Sequence, residues 1–226
     1  MPNGVVFLYV KQHYQKILFF THGMENALNA VYQEYAVTSF MQLHMRRVAW
    51  IASLLCDHMP AWSVDKESIV TAALLHDIGN VVREPNPSLA GLYEPEGFAY
   101  REPKHNAMRE RYGTNDHAAT HAIVQELGCS QKIHTLIDAI DVLKAWTRDD
   151  DLEAMVLYYA DNRVAPHWIV SLEQRFTDAA ARGAHRVHHL TLEEALKNVT
   201  HEAEIVFKYC TLKQQEITDE FIKSQM

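Results

Sequence analysis

The stretch IVTAALLHDIGN, residues 69–80, decides the reading of this chain. From Ile69 to Leu75 it is almost wholly apolar, so the chain is heading into a core. It then places a histidine and an aspartate side by side, His76 and Asp77. A carboxylate in a dry interior is costly unless a cation or several hydrogen-bond donors compensate it. Either the segment breaks the surface here or something positive waits inside.

Working outward, the periodicity is helical nearly throughout. From Ser39 to Met59 the residues Phe40, Met41, Val48, Ile51, Ala52 and Leu55 keep a 3.6-residue spacing, and Pro60 ends the run. Asp65 is placed to N-cap the next helix, which reaches His76 with Gly79 as a stop signal. Further helices are expected over Asn115–Leu127, closing on Gly128, over Lys132–Ala145, over Leu152–Val164 and over residues 168–182. Thr191 with Glu194 makes a capping box that opens a long amphipathic helix, its apolar stripe running through Leu192, Leu196, Val199, Ala203, Val206 and Cys210. No strand pairs or repeats are expected. Residues 83–114 break the helical texture with Pro85, Pro87, Pro95, Pro103, Gly91, Gly97 and Gly113. So long a connection is usually functional or disordered. It carries Tyr93, Phe98, Tyr100, Arg101, Lys104, His105, Arg109 and Arg111, which suit a lid over a phosphorylated ligand; the alternative is a solvated insertion.

Composition narrows the function. With 226 residues the chain can bury a substantial core as one large domain or a domain with an appendage. Its net charge of −8 gives no general attraction for phosphate backbones, which argues against a nucleic-acid polymer as partner. Cys56, Cys129 and Cys210 are odd in number and form no CxxC pair, so a cysteine zinc site is not expected and a reducing cytoplasm is the simplest setting. No stretch approaches a membrane span, so no membrane partner is expected. The apolar segment GVVFLYVKQHYQKILFF lacks a basic n-region and a cleavage site; residues 1–23 read as a packed extension or as a consequence of start-site choice, Met24 being another candidate start. Domain limits are expected at 24–182 for the main helical domain and 183–226 for a C-terminal helical segment packing on it. That segment could equally pair two copies into a homodimer.

Two more polar residues fall on apolar faces. His44 lies in the stripe of its helix, where a lone histidine is more often a satisfied core residue than a ligand. Asp161 follows LEAMVLYYA, on the face carrying Ala154, Leu157 and Tyr158. An ion pair with Arg163 or Arg47 would explain it alone. Taken together, His44, His76, Asp77 and Asp161 come from three helices, each inward-facing or at the end of an apolar run. Because consecutive helical positions point about 100° apart, His76 and Asp77 converge on one ion only if it lies between neighbouring helices. Two imidazoles and two carboxylates suit Mn, Fe, Zn, Co or Ni, with Mg also accommodated.

The ordered series HMRRV (44–48), ALLHDIG (73–79) and YYADNRV (158–164) resembles the HD-domain superfamily of metal-dependent phosphohydrolases over residues 38–180. The resemblance implies an all-α helical bundle and a divalent metal held by His44, His76, Asp77 and Asp161. It also implies hydrolysis of a nucleotide or another small phosphorylated substrate. Many relatives have lysine three positions after the HD aspartate, and some nucleotidases a glutamate; here it is Asn80, which orients water but takes no proton. Two-metal relatives add two histidines. His117 matches the first, but only Asp141 stands near the second, so one ion is expected. In that setting Asp77 is the expected proton acceptor, and His117 the general acid or a donor to the phosphate. His117 and His121, at i,i+4 spacing, form a pair that could itself take a metal. Arg47, Arg83, Lys104, Arg109 and Arg163 are candidate phosphate clamps. His185, His188 and His189 read as a surface linker. The rival readings are a cyclic-nucleotide or dinucleotide phosphodiesterase and a non-catalytic regulator that keeps metal or nucleotide as a signal.

Overall fold

The computed structural model describes residues 22–83, 97–140, 151–165, 168–181, 186–187, 190–218 and 220. Among these the chain forms nine α-helices, two short 3-10 turns and one two-residue hairpin. The helices are α1 His22–Glu34, α2 Ser39–Asp57, α3 Lys66–Leu75, α4 Phe98–Tyr112, α5 Asp116–Glu126, α6 Gln131–Ile140, α7 Leu152–Asn162, α8 Leu172–Ala181 and α9 Leu192–Tyr209. The all-α expectation holds. The described residues divide into two compact units, those within 22–43 and 75–134 and those within 44–74 and 135–220.

In the first unit, α3 has just ended at Leu75 and the chain turns through His76 and Asp77 into a 3-10 turn, Ile78–Val82. Both α4 and α5 pack on that turn. α5 starts where expected, since the Asn115 side chain accepts from the Ala118 amide at 2.7 Å. It ends at Gly128, whose φ of +71° is a left-handed conformation that glycine adopts cheaply. The Glu126 carboxylate gathers three donors: the hydroxyls of Tyr35 (3.3 Å) and Tyr112 (2.7 Å) and the Arg111 guanidinium (2.8 Å). Burial, reinforced by that carboxylate, pushes the Tyr35 hydroxyl up to about 12.

α4 departs from expectation. Residues Phe98–Tyr112 form a regular helix, not an irregular insertion, with Pro103 inside it and Gly97 and Gly113 at positive φ on its flanks. Its buried face is polar: Arg101 and His105 are enclosed, and Arg101 donates to the Ala36 carbonyl at 3.3 Å. Those two side chains are therefore part of the packing. Residues 84–96, with the remainder of the expected lid, lie outside the described residues.

In the second unit, α9 packs against α7 and α8 and buries Ala195, Val199, Ala203 and Val206. Leu192 and Leu196, expected in its stripe, are only half-buried, and Ala195 and Glu202 take the inward positions. The capping box is present in both directions: the Glu194 amide donates to Thr191 Oγ at 3.2 Å, and the Thr191 amide donates to the Glu194 carboxylate at 2.8 Å. Asp65 caps α3 as expected, accepting from the Ser68 amide at 3.2 Å and the Ser68 hydroxyl at 2.8 Å. Contrary to expectation there is a strand pair, Arg186–Val187 with Leu190–Thr191, antiparallel and feeding α9. Likewise α8 starts only at Leu172. Residues 168–170 instead fold back on the end of α7, through a bridge between Val164 and Ile169, and Ser171 caps the helix. The expected helical stretch 141–145, residue Asp141, the cluster His185, His188 and His189, and residues 1–21 all lie outside the described residues.

Candidate metal centre

His44 and Asp161 meet within the second unit. The helical stripe of α2 carries His44 inward among Met45, Val48 and Ile51, all buried. Asp161 stands in the last turn of α7, after a continuous buried run from Ala154 to Ala160. His44 Nε2 lies 3.0 Å from Asp161 Oδ1.

Two residues on, Arg163 anchors the end of α7. Arg163 is buried and donates from Nε to the Val170 carbonyl at 2.5 Å and from one terminal nitrogen to the Ile217 carbonyl at 2.6 Å. Its other terminal nitrogen bonds the Tyr159 hydroxyl and reaches towards the Gln214 carbonyl at 3.5 Å. Burial pushes the Tyr159 hydroxyl up to about 12, against the opposing pull of the guanidinium. The guanidinium is thus spent on backbone carbonyls. It makes no ion pair with Asp161 and is no phosphate clamp.

His76 and Asp77 sit together in the first unit, at the junction of α3 with the 3-10 turn. His76 is enclosed and Asp77 is half-buried, with His76 Nε2 3.6 Å from Asp77 Oδ2. Asp77 heads the turn without capping it by its side chain. The turn is clamped on α5. Gly79 donates its amide to Thr120 Oγ at 3.0 Å, and the same hydroxyl lies 3.5 Å from the His76 carbonyl. A Cβ on Gly79 would fall 2.2 Å from the Asp116 carbonyl oxygen and 2.4 Å from the Thr120 amide nitrogen. Gly79 is therefore required by close backbone approach, not by the helix stop that its position suggests. Arg83, another expected clamp, pairs with Asp116 through Nε at 2.6 Å. Lys104 lies 4.0 Å over the Tyr100 ring, and Arg109 bonds Asn106.

His117 is on α5 and keeps company with two other imidazoles. Its Nε2 is 3.2 Å from His121 Nε2, and His121 Nδ1 is 2.9 Å from His134 Nδ1 on α6. His134 was not singled out by sequence, although it lies in the stripe Ile133, Leu136 and Ile137, where the signal that marks His44 applies equally. The bond of Thr120 to Gly79 and the reach of Arg163 to Ile217 had no local signal, since those partners are tens of residues away.

Imidazole and carboxylate are suitable donors for a borderline divalent ion. Within the second unit His44 and Asp161 are donors of that kind, and within the first unit so are His117 and His121. A family model described as HD domain matches residues 42–165, more than half of the chain. The chain belongs to the HD-domain family. HD domains bind divalent metals and are generally metal-dependent phosphohydrolases, with some non-catalytic members. All four of His44, His76, Asp77 and Asp161, and His117 besides, fall inside the matched span. Neither a curated protein nor a solved structure matches the chain. Among the described residues no helix is long and apolar enough to cross a membrane.

Proposed function

We propose that this HD-domain protein hydrolyses a phosphoester, a nucleotide or another small phosphorylated metabolite, using one divalent ion held by His44, His76, Asp77 and Asp161. The observation that carries the reading is the approach of His44 Nε2 to Asp161 Oδ1, 3.0 Å apart from two helices inside the family-matched span. The Arg163 guanidinium goes to backbone carbonyls, and an imidazole beside a half-buried carboxylate is the donor pair a borderline ion takes. The Asp77 carboxylate beside His76 Nε2 supplies the harder oxygen donor.

When bound, the ion would polarise a phosphoryl oxygen and acidify water. The work of the protein side chains follows from their placement. Asp77, half-buried and not spent on capping the turn, accepts the proton of the attacking water. As the water oxygen bonds phosphorus, the ester P–O bond breaks and the leaving oxygen needs a proton or a donor. His117 serves there, as general acid or as a hydrogen-bond donor to the phosphate. Asn80 orients water and leaves proton acceptance to Asp77. Arg47 and Lys104, two of the expected phosphate clamps, are the cations to substitute in testing for contact with the substrate phosphate.

Metal analysis of protein purified without a histidine tag, followed by a panel of nucleotides and small phosphoesters, tests the reading. The expected result is a bound divalent ion, turnover that chelation removes and added metal restores, and loss of both ion and turnover in Asp161→Ala. Bound ion with no turnover under any divalent metal would instead make the protein a non-catalytic regulator. Absence of a bound ion under all conditions would sink both readings.

A further inference from the structure

Within the second unit, the C-terminal segment Thr211–Ile217 crosses between the two helices that carry His44 and Asp161. At its start it is bonded to the end of α2: the Thr211 amide donates to the His58 carbonyl at 2.9 Å, and the Thr211 hydroxyl donates to the same oxygen at 3.3 Å. Just before it, Cys210 Sγ lies 4.0 Å from the Leu55 carbonyl. At its other end it is bonded to the end of α7, where Arg163 donates to the Ile217 carbonyl at 2.6 Å and reaches the Gln214 carbonyl at 3.5 Å. Between these attachments it holds its own shape, a 3-10 turn Gln214–Glu216 in which the Lys213 amide donates to the Glu216 carboxylate at 2.6 Å.

The consequence is mechanical. An α-helix is stiff and rises about 1.5 Å per residue, so Leu55 stands about 16 Å along α2 from His44. A rod is oriented by two points along it. Tying the far end of α2 to the end of α7 therefore fixes the direction from which His44 meets Asp161, 3.0 Å apart. A metal ion tolerates errors of only about 0.2 Å in its donor distances, so small rotations of either helix matter. The segment itself is lightly held. Its attachments are hydrogen bonds to main-chain carbonyls, and among the described residues 210–218 Ile217 alone is buried, at 1% exposed. Few buried apolar contacts mark a part of the chain that opens before the core does.

We propose that Thr211–Ile217 is a detachable brace: docked, it joins the ends of α2 and α7 and sets Asp161 where it meets His44; undocked, it lets the pair drift and ion binding weaken. Thr211 and Ile217 are thus positioning residues, acting through the two helices. The proposal rests on the reading of His44 and Asp161 as metal ligands, and it makes that site answer to the state of the C-terminal segment.

Two measurements on the full-length protein test it. One is cobalt(II) affinity, followed by the visible absorption that Asp161→Ala removes. The other is amide exchange at Arg163 and Val164, whose N–H groups bond the Ala160 and Asp161 carbonyls at 3.2 and 3.1 Å. Ile217→Lys sets a second cation beside the Arg163 guanidinium and undocks one end of the brace. Thr211→Pro deletes the amide donor at the other end, where Cys210, at ψ 137°, already has the extended backbone that precedes proline. In each variant cobalt affinity is expected to fall about tenfold or more. The two amides are expected to exchange about tenfold faster, with the far-ultraviolet spectrum of the parent retained. Ile217→Leu is expected to keep both parent values. Val199→Ala deletes buried core volume about three turns earlier on α9; it weakens the fold, leaves both attachments in place and is expected to keep the parent affinity. Parent-like affinity in both brace variants overturns the proposal, as does an equal loss in Val199→Ala, which would trace the effect to general loosening. So does unchanged exchange at Arg163 and Val164. If the parent protein binds no divalent ion the hydrolase reading fails, while the exchange rates still decide whether the brace holds the end of α7.

Discussion

Two corners of the molecule present the candidate ligands, and they are held by opposite means. The His76–Asp77 turn in the first unit is held by shape: Gly79 lets its backbone lie directly on α5, with one hydroxyl, that of Thr120, bonding the turn. The end of α7 in the second unit, with Asp161, is held by charge: the long arm of Arg163 reaches the carbonyls of Val170 and Ile217 and ties three stretches of chain together. A steric clamp tolerates nothing added, whereas a polar clamp tolerates nothing removed. The contrast makes the sensitivities of the two corners predictable.

The harshest test adds a single methyl group. Gly79→Ala would drive its Cβ to 2.2 Å from the Asp116 carbonyl oxygen, which is backbone and cannot swing aside. Overpacking of this kind costs about 3 kcal/mol or more, and a large loss in the urea midpoint is the expected result. A midpoint unchanged from the parent would show that the turn is not clamped by shape. Next comes Arg163→Met, which keeps the apolar stem but leaves the Ile217 and Val170 carbonyls without their donor. Each unsatisfied buried acceptor costs about 1–3 kcal/mol, so a loss of about 2–4 kcal/mol is expected by chemical denaturation. Metal affinity should fall with it, because Asp161 sits two residues from the lost anchor. Equal affinity at preserved folding would break the link between anchor and ligand.

What the sequence made legible follows the same division. Features that depend on neighbours in sequence could be read: the Asp65 cap, the Thr191–Glu194 box, the inward stripe of α2 with His44, and the abrupt His76–Asp77 end of an apolar run. Features that depend on distant partners could not. Nothing near Gly79 announces Thr120, and nothing near Arg163 announces Ile217. α4 was misread for a related reason. Its inward face is Arg101 and His105, so the usual sign of burial is missing, while Pro103 and the flanking glycines suggest a loop. A helix whose buried side is cationic and aromatic leaves no hydrophobic period to detect.

Smaller changes sharpen the comparison. Thr120→Val keeps the shape of the clamp and deletes its hydroxyl, leaving the Gly79 amide buried without its 3.0 Å acceptor. A loss of about 1–2 kcal/mol is expected, and Thr120→Ser should recover most of it. If valine is silent, shape alone holds the turn. If serine fails as badly as valine, the threonine methyl matters more than the hydroxyl.

The subtlest difference between the corners is their response to acid. A guanidinium is not deprotonated in proteins, so a clamp of this kind offers no response to acid. The shape clamp is backed by α4, which packs on the turn and buries His105. Burial, with Arg101 and Arg109 nearby, holds the His105 ring below its ordinary value of 6.5. The folded protein therefore binds fewer protons at this site than the unfolded chain does. The stabilisation is fully present above pH 6.5 and is lost as the pH falls below it. Urea midpoints at about pH 7.5 and about pH 5.5 should differ more in the parent than in His105→Asn, whose amide does not titrate. An equal difference in the two proteins would mean that His105 takes up its proton as readily folded as unfolded. The acid sensitivity would then belong to other groups, and the two corners would no longer differ in this respect.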